Sequence, residues 1–123
     1  MQLTWEVVDG KAVINGRRLA EWVPDIVGAL VASAHPEQVI LYGSVARGED
    51  GPNSDIDLLV VLPDLGVRPR HELMGWLSGI ATIGASVDIV VTDPAEIERW
   101  RDVIGSAVYW PLREGRVVYE RAA

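Results

Sequence analysis

Two short strings carry side chains able to do chemistry: Gly43-Ser44 and, ten residues later, Asp55-Ile56-Asp57. The first joins a residue that lets the backbone turn sharply to a hydroxyl, which suits a phosphate. The second sets two carboxylates at alternate positions. On an extended segment such side chains leave one face about 6.6 Å apart, at roughly 3.3 Å of rise per residue, so Asp55 and Asp57 point together and Ile56 points away. Carboxylates held side by side repel and resist burial, so a cation is expected between them. Magnesium meets that requirement. It takes oxygen ligands at about 2.0–2.1 Å, binds through one or two carboxylates plus substrate phosphates, and in two-metal sites works in pairs about 3.5–4 Å apart. Asp88, the one acid in the apolar string from Ala85 to Thr92, is the expected third ligand, because an aspartate in such a run needs a partner.

The elements that must position these groups are readable around them. Gln38 to Tyr42 is a short Val/Ile/Leu-rich run that predicts a buried strand closed by Gly43, with Ser44 set to cap a short helix through Val45-Ala46-Arg47. Gly48 to Ser54 is dense in turn formers and predicts a loop. Asp55 to Leu62 predicts a second strand, apolar at every position from Leu58 and so covered on both faces. Upstream, Leu3 to Val8, the turn Asp9-Gly10 and Lys11 to Ile14 predict a hairpin appended to the main unit. A helix is expected from near Arg17 or Pro24 to Ala34, ended by His35-Pro36. Residues 63–69 predict a connector, and Arg70 to Ile80 a helix whose stripe is Leu73, Trp76, Leu77 and Ile80. Asp93-Pro94-Ala95-Glu96 marks another helix start, with helical pattern running to Glu114 and a break near Gly105.

The string Gly43-Ser44-x10-Asp55-x-Asp57 with a later strand Asp88 resembles the signature of the polymerase-beta-type nucleotidyltransferase superfamily. Gly43 to Gly48 and Ser54 to Val60 are similar to its minimal branch, the MNT antitoxins that pair with HEPN-domain toxins, and Leu112 to Glu120 resembles their closing helix-turn-strand. The resemblance runs from about Gln38 to Arg121. It implies an α/β (α+β) fold, a small mixed sheet with flanking helices, here with an N-terminal β-hairpin at residues 1–16 in a single domain of 1–123. It also implies Gly43 and Ser44 for a nucleoside triphosphate, with Arg47 and Ser54 nearby. Asp55, Asp57 and Asp88 would be catalytic and would hold two Mg2+ ions, with ATP as substrate. The implied chemistry is transfer of AMP to a hydroxyl, a tyrosine of a HEPN toxin being the implied acceptor.

Composition narrows the classes. At 123 residues the chain is expected to be one domain burying about two-thirds of its unfolded surface, without room for a separate acceptor-binding module. A formal net charge of −7, with Lys11 the sole lysine and the arginines scattered, argues against a polynucleotide partner. There is no cysteine for a disulfide framework or a thiolate zinc site. The start lacks a basic stretch followed by an apolar run, and no apolar run reaches the roughly 18 residues that span a bilayer, so a soluble cytoplasmic protein is expected.

Two further functional readings stand beside the antitoxin enzyme: a nucleotidyltransferase acting on a small hydroxyl compound such as an aminoglycoside, and a non-catalytic module that neutralises its partner by binding. The retained acids weigh against the last. His35 and His71 have no acidic or histidine neighbour at ligand spacing and are expected at the surface. The five tryptophans, in a chain without phenylalanine, are expected to fill the core, with Trp76, Trp100 and Trp110 the ones open to stacking a base or meeting a partner.

Overall fold

The computed structural model describes residues 3–122, so the outermost residues of the expected 1–123 domain and of the 1–16 hairpin region lie outside it. The chain opens with β1 (Trp5–Val8), β2 (Lys11–Ile14) and β3 (Arg17–Arg18), an antiparallel three-stranded sheet turned through Asp9-Gly10. Then come α1 (Leu19–Ala34), β4 (Gln38–Tyr42), α2 (Gly43–Arg47), β5 (Ile56–Val61), α3 (Arg70–Ala81), β6 (Val87–Thr92), α4 (Pro94–Trp100), α5 (Tyr109–Glu114) and β7 (Arg116–Glu120). Strands β4 to β7 form a mixed sheet in the order β6-β5-β4-β7, with β5 and β6 parallel and the other two pairings antiparallel. The expected mixed sheet with flanking helices is the architecture observed.

The two faces of this sheet differ, and period two decides which residues each receives. Val39, Leu41, Ile56, Leu58, Val60, Ile89 and Val91 face the main core, against Trp22, Val23, Ile26, Val27 and Leu30 of α1 and Leu73, Leu77 and Ala81 of α3. The residues between them, Ile40, Leu59 and Val61, form a smaller cluster with Val108, packed by Tyr42, Val90, Ile97 and Leu112. One face therefore carries two long helices, and the other only short elements from the C-terminal third.

Local chemistry explains where the elements start and stop, and where expectation needs correcting. Helix α1 begins at Leu19 because the Glu21 carboxylate accepts from the Arg18 amide at 3.0 Å, which leaves Pro24 inside the helix rather than at its first turn. A mid-helix proline forfeits one backbone bond, and here the buried apolar face holds the helix together across it. The helix ends at His35 in the left-handed region, φ 47°. Helix α4 starts as its sequence predicts, the Asp93 side chain accepting from the Glu96 amide at 2.9 Å with Pro94 at the first position. Its helical pattern stops earlier than Gly105, at Trp100, and residues 101–107 are turns before α5.

Trp76 does not join the buried stripe of α3, which is Leu73, Leu77 and Ala81 at spacings of four; it faces out, with the Arg68 guanidinium 5.3 Å from its ring centre. Trp5, Trp100 and Trp110 are exposed as well, and only Trp22 is buried, so the expectation of a tryptophan-filled core is overturned. Aliphatic side chains fill it instead. No helix among the described residues is long and apolar enough to cross a membrane.

Candidate functional site

Strand register brings the candidate side chains together. Tyr42 lies opposite Asp57 across the β4/β5 pair, and Asp57 lies opposite Asp88 across the β5/β6 pair. All three share parity with Leu59 and Val90, so they belong to the lightly covered face, at the end of the sheet where α2 begins. Asp55 precedes β5 instead of lying in it and is exposed, as is Asp88, while Asp57 is half-buried.

Gly43 makes this closeness possible. Its φ of 78° lies in the left-handed region, and a Cβ built there would stand 2.2 Å from Asp57 Oδ2. Any side chain at 43 would thus both strain the backbone and displace the carboxylate. Ser44 lies within α2 and not ahead of it, because Tyr42 occupies the N-cap without a side-chain hydrogen bond; the expectation that Ser44 caps the helix is corrected. Gly48, φ 72°, ends α2 by donating its amide to Ser44 and Val45 carbonyls.

The loop between the two strings is tied down. Lys11 Nζ donates to the Gly48 carbonyl at 2.9 Å and pairs with buried Asp50 at 3.3 Å, so the N-terminal sheet holds the segment that leads into Asp55. The Ser54 hydroxyl accepts from the Gly51 amide at 2.8 Å, a contact that shapes the loop. Arg47 is exposed and paired, to Glu49 at 3.0 Å and Glu114 at 3.3 Å.

The electrostatics mark Asp57 as the central acid. Burial, then the Asp88 and Asp55 charges, push its carboxyl up to about 6, with Arg47 pulling the other way and Glu114 adding to the rise. Tyr42 is pushed up to about 12, by burial first and then by Asp57, Asp88 and Glu114. A hydroxyl and a set of carboxylates thus share a strongly negative corner with one guanidinium nearby. Such a donor set suits a hard divalent cation, which would supply the missing positive charge. Among the described residues no group of three acids or histidines stands close enough together to hold a metal ion, so the expected three-acid cage is not assembled as placed; Asp57 and Asp88 are the pair in matched register.

Sequence reasoning missed Tyr42 and Glu114. Tyr42 was legible in part, since it ends the strand before Gly43, but its meeting with Asp57 depends on antiparallel register. Glu114 arrives from 57 positions beyond Asp57, and no local pattern announces it. Three cavities among the described residues are lined by other side chains, near the starts of β4 and α4, beside β6, and between α1 and β7.

A family model described as "Nucleotidyltransferase domain" matches residues 21–109, more than half of the chain. Among solved structures, the chain is similar to a "putative nucleotidyltransferase from Sulfolobus solfataricus", with 25% identity, a TM-score of 0.61, and coverage of 84% of this chain and 81% of that one. It also aligns with a structure described as "the toxin-antitoxin with AMP-PNP", at 22% identity and a TM-score of 0.49, covering 79% of this chain and 73% of that one. A search of curated proteins gave no match.

Proposed function

Because the chain belongs to the nucleotidyltransferase domain family, we propose that it transfers AMP from ATP, with magnesium, to a tyrosine hydroxyl on a partner protein, as the antitoxin of a HEPN/MNT pair. The observation that carries the transfer reading is the matched register of Asp57 and Asp88 on adjacent parallel strands, with Gly43 packed against the Asp57 carboxylate. The antitoxin and tyrosine parts rest on the resemblance of Gly43 to Gly48 and Ser54 to Val60 to the minimal branch of the superfamily.

In this reading Gly43 and Ser44 receive the β and γ phosphates, where the amides at the start of α2 have no side-chain cap competing for them. Asp57 and Asp88 would hold the magnesium ions, with Asp55 turning in from the loop before β5 as the third ligand. Bound there, such ions would neutralise phosphate charge and stabilise the entering and leaving oxygens. Asp88 takes the proton of the acceptor hydroxyl as its oxygen bonds to the α phosphorus. The bond from that phosphorus to the bridging oxygen breaks, and pyrophosphate leaves in line. Asp57 must be ionised to serve as a ligand, so its elevated pKa of about 6 places proton and metal in competition for one carboxylate.

The test is labelled ATP and magnesium, with and without the product of the adjacent gene. The expected outcome is a mass gain of one AMP on a tyrosine of that partner, with Asp57→Ala folded by circular dichroism but slower by about 10³-fold or more. Wild-type transfer by Asp57→Ala would sink the assignment. Transfer to an aminoglycoside instead would move the acceptor to a small hydroxyl compound, and neutralisation without magnesium would make the chain a binding module.

A further inference from the structure

Beyond Asp88 a groove of about 650 Å3 runs along β6, walled by Met74 of α3, by Val90, and by Trp100, Val103, Ile104 and Val108 from α4 and the turns after it. Trp100, Val103 and Ile104 are exposed, apolar surface left in water with no gain to the core. Val90 lies two residues from Asp88 on the same sheet face, so the groove begins about 6.6 Å along the strand from the carboxylate. Its charged wall is already neutralised. Arg70 donates to the Val91 carbonyl and to Glu96, and Glu96 also accepts from the Thr92 hydroxyl. An apolar body suits this place better than a phosphate does.

Strand order says from which side the acceptor approaches. Gly43 follows β4, Asp57 lies on β5 and Asp88 on β6, and these strands are adjacent in that order. Entering and leaving oxygens are roughly in line in phosphoryl transfer. With pyrophosphate leaving at the β4 side, the hydroxyl enters from the β6 side, where the groove lies. We propose that this groove is the acceptor subsite, holding the ring of a protein tyrosine and the residues flanking it with the phenolic hydroxyl at Asp88.

The assignment rests on the nucleotidyl-transfer reading above. A volume of about 650 Å3 is several times that of one phenol ring and lies in the range of roughly 300–1,000 Å3 typical of sites for larger ligands, so the flanking residues enter with the tyrosine. The net charge of −7 favours a basic surface around it.

The probe is a peptide with a central tyrosine flanked by leucine and arginine, tested beside its phenylalanine counterpart and N-acetyl-tyrosine amide. Ile104→Ser and Val103→Ser change exposed positions outside both core clusters. Each is expected to raise KM for the tyrosine peptide about tenfold, while the affinity for a non-hydrolysable ATP analogue with magnesium, measured by calorimetry, stays within about twofold. The phenylalanine peptide is expected to shift the Trp100 indole resonance of the wild type and to lose that effect in the variants. An unchanged KM overturns the proposal, and so does a parallel loss of nucleotide affinity, which would make the groove a nucleoside site. Equal use of N-acetyl-tyrosine amide and the peptide overturns the protein-tyrosine part. Two failures remain distinguishable. Peptide binding at Trp100 with no transfer by the wild type to any hydroxyl fails the transfer reading and leaves the groove a peptide site; transfer to the peptide without that binding fails the groove alone.

Discussion

Asp57 concentrates the electrostatic cost of the site, since burial strips its water while it faces the like charges of Asp88, Asp55 and Glu114. Its ordinary value of 3.8 rises to about 6 in the folded chain, so folding favours the protonated form. Stability from this group is complete below pH 3.8 and is lost as pH rises through about 6. At pH 7.5 without metal the wild type bears the full penalty, and Asp57→Asn removes it. The variant is expected to melt higher than the wild type at pH 7.5, by about 1–4 °C once solvent screening at a half-exposed group is allowed for. The difference should vanish near pH 4, as thermal scans at the two values will show. A variant less stable at pH 7.5 would mean that the carboxylate makes favourable contacts outweighing the repulsion. Asp57 was legible as an acid at the head of an apolar strand, but Asp55 precedes that strand, so period two does not relate the pair; the partners Tyr42 and Glu114 were not legible, because register and chain return are set by the whole sheet.

Among elements, the N-terminal sheet does more than extend the chain. Ala12 of β2 is buried in the main core, the Trp22 indole donates to the Ile14 carbonyl at 3.1 Å, and Lys11 reaches the loop before Asp55. Lys11→Met keeps the length of the side chain and removes its charge, leaving buried Asp50 unpaired. The expected cost is about 1–3 kcal/mol, read as a lower denaturation midpoint, together with faster amide exchange in residues 48–54. A midpoint equal to the wild type would show that Asp50 finds another partner. The hairpin itself was readable from Asp9-Gly10, since two-residue turns of that kind are local chemistry. Its hold on the loop was not, because a lysine in a sequence does not reveal which acid it will meet 39 positions later. The tryptophans teach the complementary lesson. Hydrophobicity predicted burial, but Leu, Ile and Val of β4, β5 and α1 had already filled the available space, and four indoles were left outside.

At the scale of the whole molecule, a negative chain with a negative corner should gain stability from a divalent cation that binds only the folded state. A ligand present at about 100 times its dissociation constant adds about 2.7 kcal/mol. Millimolar magnesium is therefore expected to raise the melting temperature by several degrees at pH 7.5. The gain should shrink at pH 5, where Asp57 carries a proton in the folded chain, and it should be largely lost in Asp88→Asn. An equal gain at both pH values, or in the Asp88 variant, would place the cation elsewhere on the surface.

The sequence by itself determined the local geometry: the turn at Gly43, the apolar strands that carry Asp57 and Asp88, and the helix starts at Asp93 and Arg70. Each follows from the conformational limits of a few neighbouring residues. Only the tertiary structure decided that Asp57 meets Asp88 through parallel register, that Tyr42 and Glu114 join the same corner, and that the outer edge of β6 carries an apolar groove. Those placements depend on strand order and on which face each helix covers, quantities summed over the whole chain that no window of sequence contains.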